Sequence, residues 1–128
     1  MLANASVTTV LPVSDLTRAA AFYRDQLGLQ DLGAAPTGNH VVRTGSGSTI
    51  ELMTAEDGAQ STHTALTFEV TDVASEISDL EGHGVRFEDY DLPGLKTVGH
   101  IATLGTDKAA WFLDTEGNIL CVHEQATS

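Results

Sequence analysis

The sequence repeats its own pattern once, and this repeat limits the possible folds more than any other feature. The segment Val13–Leu16 matches Val70–Val73 at an offset of 57 residues, and Gly47–Glu51 matches Gly117–Cys121 at an offset of 70. Two similar halves indicate two copies of one supersecondary unit. The second half carries 13 extra residues between these anchors. We place them in Glu88–His100, an irregular loop that is either a lid or a surface insertion without a ligand role.

Each half has the same order of predicted elements, namely a strand, a capped helix and further short strands. In the first half a cap signal at Asp15 precedes a helical apolar pattern over Leu16–Leu27, and in the second Asp72 precedes a helix over Val73–Gly82. The β-branched and apolar runs predict the strands. These strands are Val7–Val13, Leu29–Leu32, His40–Arg43 and Ser48–Met53 in the first half, and Thr64–Val70, Val85–Phe87, Ile101–Leu104, Ala109–Leu113 and Ile119–Glu124 in the second.

Length and charge exclude several classes of protein. A chain of 128 residues closes one ordinary core, so we expect a single domain over residues 1–128. The 18 acidic and 6 basic residues give a net charge of -12, which repels phosphate backbones and anionic lipids. We therefore expect no nucleic acid and no membrane partner.

The cysteine count and the N-terminal segment indicate the compartment. Cys121 is the single cysteine, so an intramolecular disulfide is impossible. The sequence shows no signal-peptide pattern and no apolar stretch of the ~20 residues that span a bilayer. These features predict a cytoplasmic protein without a membrane anchor.

Two segments resemble the signatures of a known family. Asp15–Leu29 is similar to the first-helix signature of the vicinal-oxygen-chelate superfamily, which includes glyoxalases, bleomycin-resistance proteins and dioxygenases, and Ala110–Leu120 is similar to its closing hairpin. The resemblance implies an α+β fold of two βαβββ modules that form an open curled sheet around a cavity. It also implies pairing into a homodimer. We assign module 1 to about residues 5–54, a linker to 55–61 and module 2 to about 62–125.

The resemblance also predicts where a metal cofactor would be bound. Metal-dependent members use up to four ligands, one early in the first strand and one in the last strand of each module. The corresponding positions here are Thr8, Glu51, Ala65 and Cys121. A divalent metal needs at least three imidazole or carboxylate ligands, so we predict no metal cofactor. A displaced site formed by Glu51, Cys121 and His123 is the alternative, because the last two share one strand face.

The same comparison predicts which side chains line a small-molecule cavity. They are Thr8, Glu51, Met53, Thr67, Trp111, Cys121 and His123. Glu51 is a candidate catalytic acid/base or hydrogen-bond anchor, with a solvated surface acid as the alternative. We interpret Cys121 as a small apolar lining residue rather than a nucleophile. Trp111 either stacks on a planar ligand or packs in the core.

Three functions remain open at this point. The first is a metal-free small-molecule binder of the drug-sequestering or carrier type, which the missing ligands favour. The second is a glyoxalase- or dioxygenase-related enzyme, a lyase or isomerase, that uses Glu51 or a non-standard metal site. The third is a dimeric scaffold without a ligand. The acidic charge favours a neutral or cationic ligand over a polyanion.

Overall fold

The computed structural model describes residues 1–126 and divides the chain into two compact units, Met1–Gln60 and Ser61–Ser128. The division falls inside the predicted linker. Each unit contains a strand, a helix and at least three further strands in that order. The predicted α+β class with two βαβββ modules is therefore confirmed.

The first unit forms a four-stranded sheet. Its elements are β1 (Thr9–Val13), α1 (Leu16–Ala21), β2 (Gln30–Ala34), β3 (His40–Arg43) and β4 (Thr49–Thr54), after a short 3-10 turn at Leu2–Asn4. The strand order is β1-β4-β3-β2, with β1 parallel to β4 and the other pairs antiparallel. The predicted strands agree with these bounds within a few residues.

Helix α1 begins where the cap signal predicts. The Asp15 carboxylate accepts a hydrogen bond from the Arg18 backbone amide at 3.0 Å, which satisfies one of the free donors of the first turn. The helix continues directly into a π-helical segment, Phe22–Gln26, whose wider turns the apolar pattern did not predict. Gly28 follows with φ of 77°, a backbone conformation that glycine adopts without steric cost.

Alternation along the strands builds the core of this unit. Ile50 and Leu52 of β4 are buried, whereas Met53 is 43 % exposed. Helix α1 contacts β3 and β4 and contributes the buried Ala19 and Ala20. Burial of one sheet face against a helix removes apolar surface from water and stabilises the module.

The second unit forms a six-stranded sheet. Its elements are β5 (Thr64–Val70), α2 (Val73–Gly82), β6 (Asp91–Leu92), β7 (Leu95–Val98), β8 (Ile101–Leu104), β9 (Asp107–Leu113) and β10 (Ile119–Glu124). The strand order is β5-β10-β9-β8-β7-β6, with β5 parallel to β10. The Asp72 carboxylate caps α2 by accepting from the Ser75 amide at 3.1 Å, and Glu124 accepts from the Val73 amide at 2.9 Å.

The 13-residue insertion differs from its prediction. Glu88–His100 is not an irregular loop, because it contains the β6–β7 hairpin, and β7 pairs with β8. Conversely, the predicted strand Val85–Phe87 is reduced to a single bridge between Phe87 and Phe112. The hairpin is held by main-chain hydrogen bonds and by the side chain of Thr97. The amino-acid composition of the segment therefore did not predict it. The hydroxyl of Thr97 accepts from the Tyr90 amide at 2.9 Å.

Neither helix within residues 1–126 has the length and apolar character that crossing a bilayer requires.

Candidate functional site

Most of the predicted ligand-binding residues lie on one face of the second sheet, which we call the distal face. It is the face of β5, β10 and β9 that points away from α2. Glu124 marks the opposite side, because its carboxylate reaches the first turn of α2. Side chains alternate along a strand, so Cys121 and His123 point to the distal face.

Three predicted residues form one row across the distal face. Cys121 on β10 pairs with Thr67 on β5 and with Trp111 on β9. Adjacent strands lie about 4.8 Å apart, so a hydroxyl, a buried thiol and an indole lie side by side on this row. The structure brings these three side chains together in one row, and their role in lining a ligand cavity stays a prediction.

The indole of Trp111 is held by two contacts. Its Nε1 donates to Thr64 Oγ1 at 3.1 Å, and the ring of Tyr90 meets it edge-on with centroids 5.6 Å apart at 85°. Edge-to-face pairs are a favourable arrangement of aromatic rings. Burial, with a smaller effect from the Glu88 charge, raises the pKa of Tyr90, so the phenol stays protonated at neutral pH. The sequence analysis missed Tyr90 because it lies in the insertion, outside any periodic pattern.

Cys121 is a buried, protonated thiol. Burial raises its pKa to about 11, because the thiolate loses hydration there. The thiol donates to the Val122 carbonyl oxygen at 3.4 Å. The thiolate is the form that attacks substrates and binds metals, so this environment favours a lining role over a nucleophilic one.

His123 lies between two carboxylates at the next row of the distal face. Its Nδ1 is 2.6 Å from Glu69 Oε2 and its Nε2 is 2.8 Å from Asp107 Oδ2. The hydrogen bond that His123 donates to Glu69, and then the one that it donates to Asp107, raise the pKa of His123. Two acceptors favour the doubly protonated ring. The Ala126 amide, followed by His123, lowers the pKa of Asp107.

In the first unit, Glu51 lies on the face of β4 that points away from the buried Ile50 and Leu52. Its Oε1 accepts a hydrogen bond from Asn39 Nδ2 at 3.0 Å, and the side chain is half-buried. Met53 shares this face by alternation and is exposed. Sequence reasoning missed Asn39, since it lies in the loop before β3.

Thr8 stands apart from the strand that was expected to contain it. It is exposed and lies just before β1, which begins at Thr9. Thr8 is two residues before Val10, which pairs with Glu51. In an extended chain, side chains two positions apart point to the same side, so Thr8 and Val10 share a face.

The residues at the metal positions of the family do not fit a divalent ion. Thr8 and Ala65 lack an imidazole or a carboxylate, and the Cys121 thiol is protonated. Both ring nitrogens of His123 contact carboxylates. These contacts also disfavour the alternative metal site formed by Glu51, Cys121 and His123. Within residues 1–126, no group of three or more His, Cys, Asp or Glu side chains is arranged to hold a metal ion.

The fold and the paired modules define the class of protein. Two βαβββ units, each with its first and last strands parallel, are arranged in one chain. Residues 6–122 match the Glyoxalase/Bleomycin resistance protein/Dioxygenase superfamily, and the chain belongs to this superfamily. A comparison with curated proteins gives no significant match.

Solved structures share this fold at low sequence identity. A superfamily member from Sphaerobacter thermophilus DSM 20745 is 19 % identical with a TM-score of 0.75, covering 98 % of this chain and 100 % of that one. A mutant of the fosfomycin resistance protein FosX from Listeria monocytogenes, complexed with Mn(II) and 1S,2S-dihydroxypropylphosphonic acid, is 14 % identical with a TM-score of 0.67, covering 98 % and 93 %. Lactoylglutathione lyase from Agrobacterium tumefaciens is 21 % identical with a TM-score of 0.65, covering 94 % and 93 %.

Proposed function

We propose that this protein is a metal-free small-molecule binder that holds a planar, neutral or cationic ligand against Trp111. The observation that carries the proposal is the row of Thr67, Cys121 and Trp111 on the distal face. An indole, a hydroxyl and a protonated thiol offer stacking, hydrogen bonding and apolar contact without a reactive group. The complex of FosX with a phosphonic acid supports a small molecule as the ligand class in this superfamily.

The charges near the row favour a neutral or cationic ligand. Glu69 and Asp107 flank His123, so even a protonated imidazole leaves this cluster with one excess negative charge. The net charge of -12 adds a field of the same sign. An indole face attracts a cation through its quadrupole, which strengthens this preference.

The test uses Trp111 as its own reporter, because it is the single tryptophan. We would titrate the full chain with N-methylquinolinium, quinoline and quinoline carboxylate, following fluorescence and calorimetry. The cation and the neutral compound should bind, and the affinity for the carboxylate should be lower by a factor of about ten or more. Equal affinity for all three compounds would contradict the charge preference.

Three substitutions separate stacking on the indole from nonspecific binding. Trp111→Ala should abolish calorimetric binding, whereas Lys108→Ala on the opposite face of β9 should leave it unchanged. Thr64→Val removes the hydrogen bond to the indole and should weaken binding while the fold is kept. Retained binding in Trp111→Ala would remove the proposal.

An enzymatic function is the second candidate, and the contact between Asn39 and Glu51 favours it. A half-buried carboxylate held by an amide is a suitable acid/base group. We would assay lyase activity on glutathione hemithioacetals, because a lactoylglutathione lyase shares the fold. Turnover that is lost in Glu51→Gln and kept in Glu56→Gln would support this candidate. Unchanged turnover in Glu51→Gln would exclude the acid/base role.

The scaffold alternative and the assembly state are tested with the same protein. If no compound of the quinoline series binds, the ligand-free dimeric scaffold gains support. The expected homodimer is measured by light scattering coupled to size exclusion, and a monomeric mass would contradict it. The cytoplasmic location stays a prediction from the sequence.

A further inference from the structure

Both lysines of this acidic chain line one groove on the insertion hairpin. Lys96 and Lys108 are the only lysines among 128 residues. They line a groove of about 600 Å³, which we call the lysine groove, together with Thr103 and apolar side chains. The apolar part includes Leu92, Val98 and Ile101. The groove therefore combines positive charge with apolar surface in a chain that is otherwise strongly negative.

Strand register places the two lysines on either side of one hydroxyl. Thr103 pairs with Lys108 across β8 and β9. Thr97 pairs with Ala102 across β7 and β8, so Lys96 lies beside Thr103 from the other side. With strands about 4.8 Å apart, the two lysine Cα atoms are separated by about 10 Å. Their flexible stems allow both ammonium groups to approach an anion above the Thr103 hydroxyl.

The neighbouring carboxylates do not neutralise the lysines directly. Asp91 pairs with Lys96 and Glu124 pairs with Lys108, one at each end of the row. Glu124 is engaged with α2, because its Oε1 accepts from the Val73 amide at 2.9 Å. No ion pair within residues 1–126 includes either lysine. Both ammonium groups are therefore available to a ligand.

The apolar part of the groove is exposed to water. Val98 is 74 % exposed, and Ile101, its partner across β7 and β8, is half-buried. By alternation both share a face with Lys96 and Thr103. The first unit completes its βαβββ order without the β6–β7 hairpin. A contiguous apolar surface that is open to water is a feature of binding sites. A ligand that covers this surface and also contacts both lysines needs an apolar body and an anionic head.

We infer that the lysine groove binds an amphiphilic monoanion, such as a medium-chain carboxylate, at a second site distinct from Trp111. Lys108 and Trp111 are three positions apart on β9, so their side chains point to opposite faces of the sheet. The head is bound by charge-assisted hydrogen bonds from the lysines, and the tail lies on Val98 and Ile101, which line the same groove. The net charge of -12 repels an anionic membrane, which favours the free carboxylate.

The test compares ligands that share one tail. We would titrate the full chain by calorimetry with decanoate and with decyltrimethylammonium, both below micelle formation, and with vesicles of anionic phospholipid. Decanoate should bind about tenfold more tightly than the cation, and vesicles should not bind. Equal binding of the two amphiphiles, or binding to vesicles alone, would overturn the inference.

Substitutions then locate the site. Lys96→Gln with Lys108→Gln should weaken decanoate binding about tenfold or more, whereas Arg43→Gln with Arg86→Gln makes the same change in net charge and should have little effect. Val98→Ser should weaken binding through the tail alone. Trp111→Ala should leave it unchanged, so this site succeeds or fails independently of the proposed function. Full affinity in the double lysine variant, or a mass increase showing that a second chain covers the groove, would overturn the inference.

Discussion

Cys121 lies directly opposite Trp111 on the neighbouring strands β10 and β9, and its buried thiol is protonated. The family resemblance of the sequence placed one of the possible metal ligands at this position. The burial that raises the thiol pKa therefore bears on both possible uses of this residue, as a nucleophile and as a ligand.

Alkylation kinetics measure this effect. At pH 7.5 a pKa of about 11 leaves the thiolate scarce, whereas an unfolded cysteine has a pKa of ~8.5. Iodoacetamide should label the native protein at least about 100-fold more slowly than the urea-unfolded protein, as followed by mass spectrometry. Because the chain has one cysteine, one label is expected. Rapid labelling of the folded protein would contradict the buried, protonated thiol.

His123 predicts a pH dependence of stability. Its pKa is raised in the folded protein by Glu69 and then Asp107, so protonated His123 stabilises the fold. This contribution is fully present below the unfolded pKa of ~6.5 and is lost as pH rises through the folded pKa. The difference in free energy of unfolding between wild type and His123→Gln should therefore be larger at pH 5.5 than at pH 9.

Urea unfolding across this range, with an NMR titration of His123, provides the measurement. The matched control is His63→Gln, which removes an exposed imidazole that contacts the Thr64 carbonyl oxygen. A wild-type advantage over His123→Gln that increases with pH would show that the carboxylates do not stabilise the imidazolium.

The two modules use the same turn with different burial. The backbone amide of Asp114 donates to the Asn118 carbonyl oxygen at 3.0 Å, and that of Thr44 donates to the Ser48 carbonyl oxygen at 2.9 Å. The buried Asp114 carboxylate also accepts from the backbone amide and side-chain amide of Asn118, each at 2.8 Å. Thr44 Oγ1 accepts from the Ser48 amide at 3.1 Å in a more exposed turn.

Removal of the side-chain acceptor of this turn should therefore lower the free energy of unfolding more in the second module than in the first. Asp114→Ala leaves buried donors without an acceptor and should lower the free energy of unfolding by about 1–3 kcal/mol. Thr44→Ala should lower it by less than about 1 kcal/mol, because water replaces the lost acceptor. Urea denaturation of both variants provides the comparison. Equal losses would mean that burial of the turn does not determine its contribution.

Truncation of two adjacent residues of β4 should destabilise the protein by very different amounts. Leu52 is fully buried, and Leu52→Ala should lower the free energy of unfolding by about 2–5 kcal/mol because it leaves a cavity. Met53→Ala, one position further along and exposed, should cost less than about 1 kcal/mol. Thermal and urea unfolding measure both variants. A large loss in Met53→Ala would show that this side chain is covered in solution, for example by a second copy of the chain.

The local features of the fold were predictable from the sequence. Asp15 and Asp72 each cap the helix that follows, because capping depends on a side chain and an amide three positions later. In the first half the predicted order of elements was correct for the same reason, since the apolar period is local. In the second half the predicted strand Val85–Phe87 was wrong, because only Phe87 forms a bridge there. The insertion was not predicted correctly either, because the β6–β7 hairpin depends on pairing with β8 rather than on its own composition.

The sequence by itself determined the order of elements in the first module and the family, because both depend on residue type and on spacing within one module. Only the tertiary structure decided how the residues of the candidate sites behave. Glu69 and His123 are 54 positions apart and meet only because β5 pairs with β10. The state of the Cys121 thiol depends on burial, and the lysine groove on strand register. These properties arise from contacts between distant segments, which no local pattern encodes.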